Sequence, residues 1–242
     1  MDRPTAAMLV IGDEILSGRT RDANMHFLAG ILTEAGIALS EVRIVPDDHG
    51  RIVAALTALR SAFDHVFTSG GIGPTHDDIT ADAVGAAFGV AVDVREDARA
   101  LLAAHYASTG RDLNAARLRM ARIPDGAALI DNPVSVAPGF TIGNVHVMAG
   151  VPSVFQAMVA SVMPSLRGGP PLTSRNLRVP RGEGDIAATL SALADAHPAV
   201  SIGSYPYQQD GAYGANVVVR GGDPATVDAV MSALMQAFPE AA

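Results

Sequence analysis

A glycine-rich turn between an apolar run and a helical pattern is the strongest chemical signal in the sequence. Residues 69–80 read Ser-Gly-Gly-Ile-Gly-Pro-Thr-His-Asp-Asp-Ile-Thr. Glycines let a backbone approach a phosphate without obstruction by Cβ atoms, and the start of a following helix adds partial positive charge. The candidate ligand contacts in this turn are Ser69, Gly70, Gly71, Gly73, Pro74 and Thr75. A tight turn whose aspartates only cap the helix fits the same residues, so the motif alone leaves both interpretations open.

Carboxylates lie beside this turn, where they would repel a phosphate unless a cation intervened. Asp77 and Asp78 suit a phosphate site if a divalent cation such as Mg²⁺ bridges carboxylate and phosphate oxygens. A second acidic pair, Asp47-Asp48, follows another predicted strand, and carboxyl ends of neighbouring parallel strands converge on one crevice. We therefore expect Asp47, Asp77 and Asp78 to hold a divalent metal. The alternative is that the Asp47-Asp48 pair only starts the next helix.

Two further loops carry candidate ligand contacts. The segment after the first apolar run supplies Gly12 and Glu14, and Asn24 can join them. An ordinary strand-to-helix loop with surface acids is the alternative there. The segment 132–140 is too rich in turn residues for regular structure, and such loops often carry ligand contacts, here Asn132, Pro138 and Gly139. A structural hairpin is the competing interpretation.

The composition excludes several classes of function. Lys and Arg total 17 against 25 Asp and Glu, and no basic run could neutralise a nucleic acid, so nucleic acid is not an expected partner. The lack of Cys excludes disulfides, thiolate metal sites and cysteine catalysis, and it fits a reducing compartment. Without a targeting segment or an apolar run of membrane-spanning length, the sequence predicts a cytoplasmic protein with no membrane partner.

Apolar runs alternate with helical patterns through the first two thirds of the chain. The strand predictions are 6–11, 41–45, 65–68 and 144–148. The helix predictions are 24–35, 51–61, 78–88, 97–108, 114–120 and 153–162. Strand-helix-strand order implies parallel pairing with right-handed crossovers, so the predicted fold class is α/β.

The texture changes after residues 167–171, Arg-Gly-Gly-Pro-Pro, which form the best linker candidate. Beyond it the patterns predict a small α+β unit, with strands at 177–179, 200–203 and 216–220 and helices at 185–196 and 224–238. The predicted domains are therefore 1–166 and 172–242.

Taken in order, these motifs resemble the molybdopterin-binding domain of molybdenum-cofactor biosynthesis. The set comprises Gly12-Asp13-Glu14, Asp47, the run from Gly70 to Thr80, Asn132-Pro133 and Ala137-Pro138-Gly139-Phe140. It is most similar to the amino-terminal part of competence/damage-inducible protein A and to the molybdopterin-binding-like domain fused to eukaryotic FAD synthases. The resemblance covers about residues 6–166, and the segment 202–206 resembles the same subgroup.

The resemblance implies a three-layer α/β domain with a mostly parallel sheet. Members assemble into homo-oligomers and bind a small phosphorylated ligand, either molybdopterin or an adenine nucleotide. They adenylylate molybdopterin or, in the damage-inducible and FAD-synthase-linked branch, hydrolyse the pyrophosphate of ADP-ribose or FAD with a divalent metal. Two aspartates are essential in the adenylyltransferases, and they match Asp47 and Asp78, the expected catalytic residues.

One departure from this subgroup bears on function. The branch often carries a glutamate where this chain has Val154, so a carboxylate contributed there is missing. A metal-dependent nucleotide pyrophosphatase is the leading expectation, with a molybdopterin adenylyltransferase or a non-catalytic pterin or nucleotide-binding protein as alternatives. No stretch resembles a nicotinamide-nucleotide amidase domain, so deamidation of that nucleotide is not predicted.

Overall fold

The computed structural model describes residues 3–209 and 211–241. The chain forms two compact units, Met1–Gly169 and Pro170–Ala242. Each unit has its own sheet and its own hydrophobic core.

The first unit alternates strands and helices along most of its length. Its strands are β1 (Thr5–Ile11), β2 (Ala38–Val45), β3 (His65–Ser69), β4 (Val92–Val94), β5 (Arg122–Pro124), β6 (Ala128–Ile130), β7 (Gly139–Ile142) and β8 (Val145–Met148). Its α-helices are α1 (Asp13–Leu16), α2 (Asn24–Glu34), α3 (His49–Ala62), α4 (Thr80–Phe88), α5 (Glu96–Ser108), α6 (Ala115–Leu118) and α7 (Pro152–Val162). Short 3₁₀ helices follow α6 and α7 at Arg119–Ala121 and Met163–Ser165.

Six of these strands form one mostly parallel sheet in the order β2-β1-β3-β8-β7-β6. The first four strands in that order run parallel, while β7 and β6 run antiparallel to their neighbours. Strands β4 and β5 pair separately. The predicted α/β fold class is confirmed.

The three layers follow from burial on both faces of β1, whose side chains alternate between two cores. Ala7, Leu9 and Ile11 pack with residues of α3, α4 and α5. Met8 and Val10 pack with residues of α2 and α7 in the second core. A strand that alternated polar and apolar residues would bury polar side chains in one of the two cores. This is why β1 is a continuous apolar run.

The element boundaries differ from the predictions where tertiary contacts decide them. The helix predicted from residue 78 begins at Thr80, because the Asp78 side chain is bonded to the preceding turn. The helix predicted at 114–120 splits into α6 and a 3₁₀ turn. The irregular segment predicted through residue 140 ends at Pro138, and β7 begins at Gly139. The three-residue strands β4, β5 and β6 were not predicted, since so short a run shows no periodicity.

The second unit is a three-stranded antiparallel sheet with two helices. It contains β9 (Thr173–Val179), α8 (Glu183–Ala196), β10 (Val200–Gln209), β11 (Ala212–Gly221) and α9 (Pro224–Ala237), with sheet order β10-β11-β9. Val217 and Val219 on β11 pack with Ile186 of α8 and Val230 of α9. Asp223 caps α9 by accepting from the amide N–H groups of its first turn. This is the α+β arrangement that the sequence predicts.

None of the helices within residues 3–209 and 211–241 combines the length and the apolar character needed to cross a membrane.

A buried histidine pair lies within the sheet of the first unit. His146 on β8 is 4% exposed, and its ring packs 5.0 Å from the ring of Phe67 and 5.7 Å from that of His65. Its Nδ1 lies 3.0 Å from Thr141 Oγ1. Burial, with a smaller contribution from His65, lowers the pKa of His146 to about 4, and burial also lowers that of His65. Both rings are therefore neutral in the folded protein near pH 7.

We expect the stability of the fold to decline between about pH 6.5 and pH 4. The side chain of histidine in the unfolded chain has a pKa near 6.5. Between these pH values it is therefore protonated in the unfolded chain, whereas folded His146 stays neutral, and this difference favours unfolding. The contribution of His146 to the free energy of unfolding is fully present above about pH 6.5, and roughly 3 kcal/mol of it is lost when the pH reaches about 4. Urea unfolding at pH 7 and pH 4.5 should show His146→Gln losing less stability than the unsubstituted protein. The control is His76→Gln, whose side chain is 98% exposed, and equal pH dependence in both variants would contradict the assignment.

Candidate functional site

The carboxyl ends of the central parallel strands meet at one edge of the sheet. The Gly12 amide, just after β1, donates to the Val45 carbonyl at the end of β2 at 3.1 Å. The Gly70 amide, just after β3, donates to the Met148 carbonyl at the end of β8 at 3.1 Å. The loops that carry most candidate residues are thus drawn together by backbone hydrogen bonds, as parallel strand order requires.

The glycine-rich turn is folded tightly onto its own surroundings. Gly70 and Gly71 adopt φ values of 111° and 70°, which favour glycine. A Cβ at Gly70 would strike the carbonyl oxygen of Ile11, and one at Gly71 would strike Thr80 Oγ1. The Thr80 hydroxyl also donates to the Gly70 carbonyl at 3.0 Å. The protein itself therefore requires these two glycines, independently of any bound phosphate.

The Asp78 carboxylate stabilises the glycine-rich turn by accepting hydrogen bonds from two of its backbone amides. Its Oδ1 accepts from the Gly73 amide at 2.7 Å, and its Oδ2 accepts from the Thr75 amide at 2.7 Å. No side chain caps α4, so Asp78 is not the helix cap that the sequence left as an alternative. Both carboxylate oxygens are engaged in shaping the loop.

Asp77 has a different environment from its neighbour. Its side chain is 60% exposed, and its Oδ1 lies 2.5 Å from Thr75 Oγ1. The same hydroxyl lies 2.5 Å from Asp78 Oδ2, so its single proton is donated to one of the two carboxylates. The Thr75 hydroxyl lowers the pKa of Asp77. Asp77 is consequently an anion that faces solvent at the outer side of the turn.

The two acids that follow β2 also divide their tasks. Asp48 caps α3 by accepting from the Arg51 amide at 2.8 Å. Asp47 instead accepts from the Asp13 amide at 3.0 Å, which links the β2 loop to the start of α1. Burial raises the pKa of Asp47 despite that bond, and the charges of Asp13, Glu14 and Asp77 add to the rise. The helix-start interpretation therefore holds for Asp48 and not for Asp47.

A cavity of about 740 Å³ opens at this edge of the sheet. Among its lining residues are four of the predicted contacts, Glu14, Gly73, Asp78 and Asn132. Its other lining residues are Thr20, Ile72, Met120, Val134, Ser135, Ala137, Ala149, Gly150, Val151, Pro152, Ser153 and Val154. This volume suits a ligand of nucleotide or pterin size, with largely apolar walls and a few polar groups.

The loop that bears Asn132 is held rigidly around that side chain. Asn132 is 3% exposed, donates to Ser135 Oγ and the Ala137 carbonyl, and accepts from the Val134 and Ser135 amides. Val136 adopts a φ of 66°, a strained conformation for a β-branched residue. This loop leaves Val134 54% exposed on the cavity wall.

The remaining predicted contacts, and with them Asp47 and Asp77, are not among the lining residues of this cavity. Pro138 and Gly139 are buried at the start of β7, where a Cβ on Gly139 would strike the Val147 carbonyl oxygen. Pro74 and Thr75 are exposed in the turn. Asn24 and Ser69 are buried side by side beneath Gly150, and they line a second, smaller cavity of about 60 Å³ together with Glu14.

The predicted ligand contacts did not include the segment from Gly150 to Val154, although the position where the branch often carries a glutamate, Val154 here, lies within it. This segment includes the start of α7, where no side chain caps the helix, and it forms one wall of the cavity. A strand ending in Ala-Gly before a Pro-initiated helix was a usable signal, since proline favours the first helical turn. Arg119 was also missed. It donates to the Asp78 carbonyl at 3.2 Å from a helix distant in sequence, and no local pattern marks it.

Within residues 3–209 and 211–241, no three His, Cys, Asp or Glu side chains form a cluster that could by itself hold a metal ion. The acids around Asp47 interact through their charges instead.

The fold and the site define an α/β protein whose loops surround a small-ligand cavity at the carboxyl edge of a parallel sheet. Residues 7–168 match the family described as a probable molybdopterin binding domain, and residues 171–242 match the middle domain of FAD synthase. The chain belongs to the molybdopterin-binding domain family.

Individual relatives agree with this placement. A protein of Pyrobaculum arsenaticum is 36% identical over 210 residues, covering 83% of this chain and 79% of the relative. A CinA-like protein of Geobacter metallireducens is 34% identical over 216 residues, which are 84% of this chain and 52% of the relative. A probable FAD synthase of Caenorhabditis elegans is 30% identical over 259 residues, covering 97% of this chain and 50% of the relative. The chain thus spans about half the length of the last two proteins.

Among solved structures, the protein CinA of Thermoplasma acidophilum is 34% identical. The similarity covers 67% of this chain and 98% of that one, with a TM-score of 0.63. That protein is described as having unknown function, so the likeness supports the family and the fold rather than an activity.

We expect Asp78→Asn to destabilise the protein far more than Asp77→Asn. An asparagine at 78 has one acceptor oxygen, so either the Gly73 or the Thr75 amide would face an NH₂ group and lose its partner, at a cost of about 1–3 kcal/mol. Asp77→Asn weakens an exposed hydroxyl contact and a long, exposed contact with His76, and it should cost less than about 0.5 kcal/mol. Urea unfolding at pH 7 in the absence of ligand and metal measures both. Equal losses in the two variants would show that Asp78 does not hold the turn.

Proposed function

We propose that this protein binds a phosphorylated pterin or adenine nucleotide in the 740 Å³ cavity and hydrolyses a nucleotide pyrophosphate, ADP-ribose or FAD, with the help of a divalent cation. The observation that carries this proposal is the joint lining of one cavity by the glycine-rich turn, the uncapped start of α7 and two carboxylates, Glu14 and Asp78. Family membership and the similarity to CinA-like and FAD synthase relatives support it.

The cavity offers separate surroundings for the two ends of such a ligand. The first turn of α7 presents backbone amides and partial positive charge, which suit phosphate oxygens. Ile72, Met120, Val134 and Ala137 supply apolar wall for a heterocyclic ring. A phosphate group and a planar ring on one molecule would therefore each find a matching surface.

The carboxylates around Asp47 fit a divalent cation by the chemistry of their oxygens. Asp47 is partly withdrawn from water and surrounded by the charges of Asp13, Glu14 and Asp77, and a cation would relieve that repulsion. Mg²⁺ commonly uses only one or two carboxylates and completes its shell with water and substrate phosphates, which agrees with the lack of a closed three-residue cluster in the described chain. Asp47 and Asp77 would hold the cation, with Asp78 keeping the adjoining turn in place. When bound, the cation would neutralise phosphate charge and polarise a phosphoryl oxygen.

Asp47 is also the best candidate for handling the proton of the attacking water. Its half-buried carboxylate would accept that proton from a water molecule that the cation makes more acidic. In the hydrolysis, the water oxygen bonds to one phosphorus and the bridging P–O bond breaks, while the proton passes to the carboxylate and the leaving phosphate departs with the bridging oxygen. The hydrogen bond from the Asp13 amide keeps the Asp47 side chain oriented during this step.

Replacing Asp47 by asparagine should abolish most hydrolysis without unfolding the protein. The amide oxygen still accepts from Asp13, but the negative charge and the proton acceptor are lost, so turnover should fall about 100-fold or more. The matched control is the adjacent Asp48→Asn, since asparagine caps a helix as well as aspartate does. The assay is release of AMP from ADP-ribose and from FAD with Mg²⁺, Mn²⁺ or Co²⁺.

The pH dependence gives a second readout. Because the pKa of Asp47 is raised before a cation binds, protons should compete with the cation for this carboxylate. Hydrolysis should therefore decline with falling pH already above the range of an ordinary aspartate, and Asp48→Asn should keep that profile. Equal rates for Asp47→Asn and the control would remove Asp47 from the mechanism. Binding of AMP without hydrolysis would favour a binding protein, and transfer from ATP to molybdopterin would favour an adenylyltransferase.

Self-association is a further part of the proposal. Strand β2 is an edge strand of the six-stranded sheet and leaves Val42 and Ile44 38% and 43% exposed. An exposed apolar edge strand is a ready site for pairing with a second copy. Analytical ultracentrifugation should therefore show a homo-oligomer, and Ile44→Lys should shift it toward the monomer, whereas a protein that sediments as a monomer at micromolar concentration would refute this part.

A further inference from the structure

The Asn24 side chain has one polar atom that the protein leaves unsatisfied. Asn24 opens α2 and is 3% exposed. Its Nδ2 donates to Ser69 Oγ and to the Gly150 carbonyl, both at 2.8 Å. Its Oδ1 is buried and receives no hydrogen bond from any described residue. A buried acceptor without a donor is costly and requires an explanation.

The orientation of this amide follows from its partners. A backbone carbonyl can only accept, so the NH₂ group must face Gly150. Turning the amide over would place two acceptors against each other. The unsatisfied atom is therefore the oxygen, and the group that completes it must be a hydrogen-bond donor.

The surroundings show where that donor would come from. Asn24 lines the cavity of about 60 Å³, and Glu14, Thr20, Gly150 and Pro152 line both this small cavity and the large one. Its volume corresponds to about two water molecules, so it admits a substituent of a ligand and excludes a ring system. The small cavity is thus a side compartment of the site proposed for the nucleotide.

The charges on the small cavity favour a neutral donor group over a phosphate. Asn24 and Glu14 both line this cavity and both carry acceptor oxygens, of which Asn24 Oδ1 is unsatisfied. Asp22 adds a further carboxylate, and Arg21 is the cation among the lining residues. Two acceptors on one small volume suit a group that presents two donors. The vicinal hydroxyls of a ribose and the exocyclic amine of an adenine or pterin both have this chemistry.

We infer that Asn24 is a specificity-determining residue whose Oδ1 accepts a hydrogen bond from a hydroxyl or amino substituent of the bound ligand, inserted into the small cavity. This inference rests on the proposed function, because it takes the ligand of the large cavity as the source of the donor. The phosphate is then held elsewhere, at the turn and the start of α7. Asn24 selects among ligands by rejecting those that lack the donor, since they would leave its oxygen unpaired.

The test measures binding of AMP analogues to the full chain by isothermal titration calorimetry, without any need for hydrolysis. The reference probe is AMP, which carries both ribose hydroxyls and the exocyclic amine. 2′-Deoxy-AMP and 3′-deoxy-AMP each lack one of the two hydroxyls, and IMP lacks the amine. The unsubstituted protein should bind AMP at least about tenfold more tightly than one of the analogues. A loss with a deoxy analogue identifies the ribose as the source of the donor, and a loss with IMP identifies the amine.

Asn24→Leu should remove that discrimination, because the affinity of the variant for AMP should fall to its affinity for the analogue that lacks the donor. A purely structural role would weaken all four nucleotides alike and leave their ratios unchanged. The matched control is Asn144→Leu, because Asn144 also donates from Nδ2 to two groups, the Arg60 and Phe63 carbonyls, but lies in the turn before β8. This control should retain the ratios of the unsubstituted protein.

The outcomes separate this inference from the proposed function. If the unsubstituted protein binds all four nucleotides equally, water satisfies Asn24 Oδ1 and the inference is overturned, while nucleotide binding stands. The same conclusion follows if Asn24→Leu retains the discrimination. If AMP fails to bind at all, the nucleotide site and its side compartment are both rejected. If Asn24→Leu does not fold, equal binding of the four nucleotides by the unsubstituted protein still overturns the inference.

Discussion

The close approach of three strand ends at Gly70 is the constraint on which the site depends. Its amide bonds to the carbonyl at the end of β8, and its own carbonyl accepts from Thr80 at the start of α4. The Ile11 carbonyl at the end of β1 occupies the space where a Cβ would lie. Gly150 comes so near that a Cβ on it would stand 3.3 Å from Gly70 Cα. One residue without a side chain thus lets β1, β3, β8 and α4 converge, and the cavity lies beside that junction.

This constraint changes how a glycine-rich loop is understood in this protein. A sequence motif of this kind suggests that glycines make room for a phosphate, but Gly70 and Gly71 make room for Ile11 and Thr80. Gly73 similarly lies against the Asp78 carboxylate, which would be 2.7 Å from a Cβ at that position. Packing within the protein and access by a ligand are compatible, since both use the same lack of a Cβ. Contacts within the protein therefore order the loop by themselves, and an ordered loop would reduce the entropic cost of binding the proposed ligand.

The acids of the site are not equivalent, and their environments separate their tasks. Asp78 serves the backbone of the turn, Asp48 serves a helix end, and Asp77 faces water. Asp47 is left partly buried among like charges, and both effects raise its pKa. The same division explains why neighbouring aspartates in one motif can respond differently to substitution.

The sequence by itself determined the α/β class of the fold. The apolar run of β1 and the helical spacing after it depend on residues close in sequence, and local periodicity records them directly. The order of strands and helices then implied parallel pairing, so the convergence of the loops after β1, β2 and β3 was predictable. The short strands β4 to β6 and the 3₁₀ turn at Arg119 were not, because they exist only through pairing and packing with distant segments.

Only the tertiary structure decided what each candidate side chain does. Asp47 and Asp48 are adjacent residues of the same type, so the sequence does not show that their roles differ. Their hydrogen-bond partners, Asp13 and Arg51, lie on different elements. Asn24 was identifiable as a polar residue in a candidate loop, but its unsatisfied oxygen results from contacts to Ser69 and Gly150, which are 45 and 126 residues away. Hydrogen bonds between residues so far apart in the sequence produce no local pattern from which they could be predicted. Their identity therefore emerges only when the strands have brought the loops together.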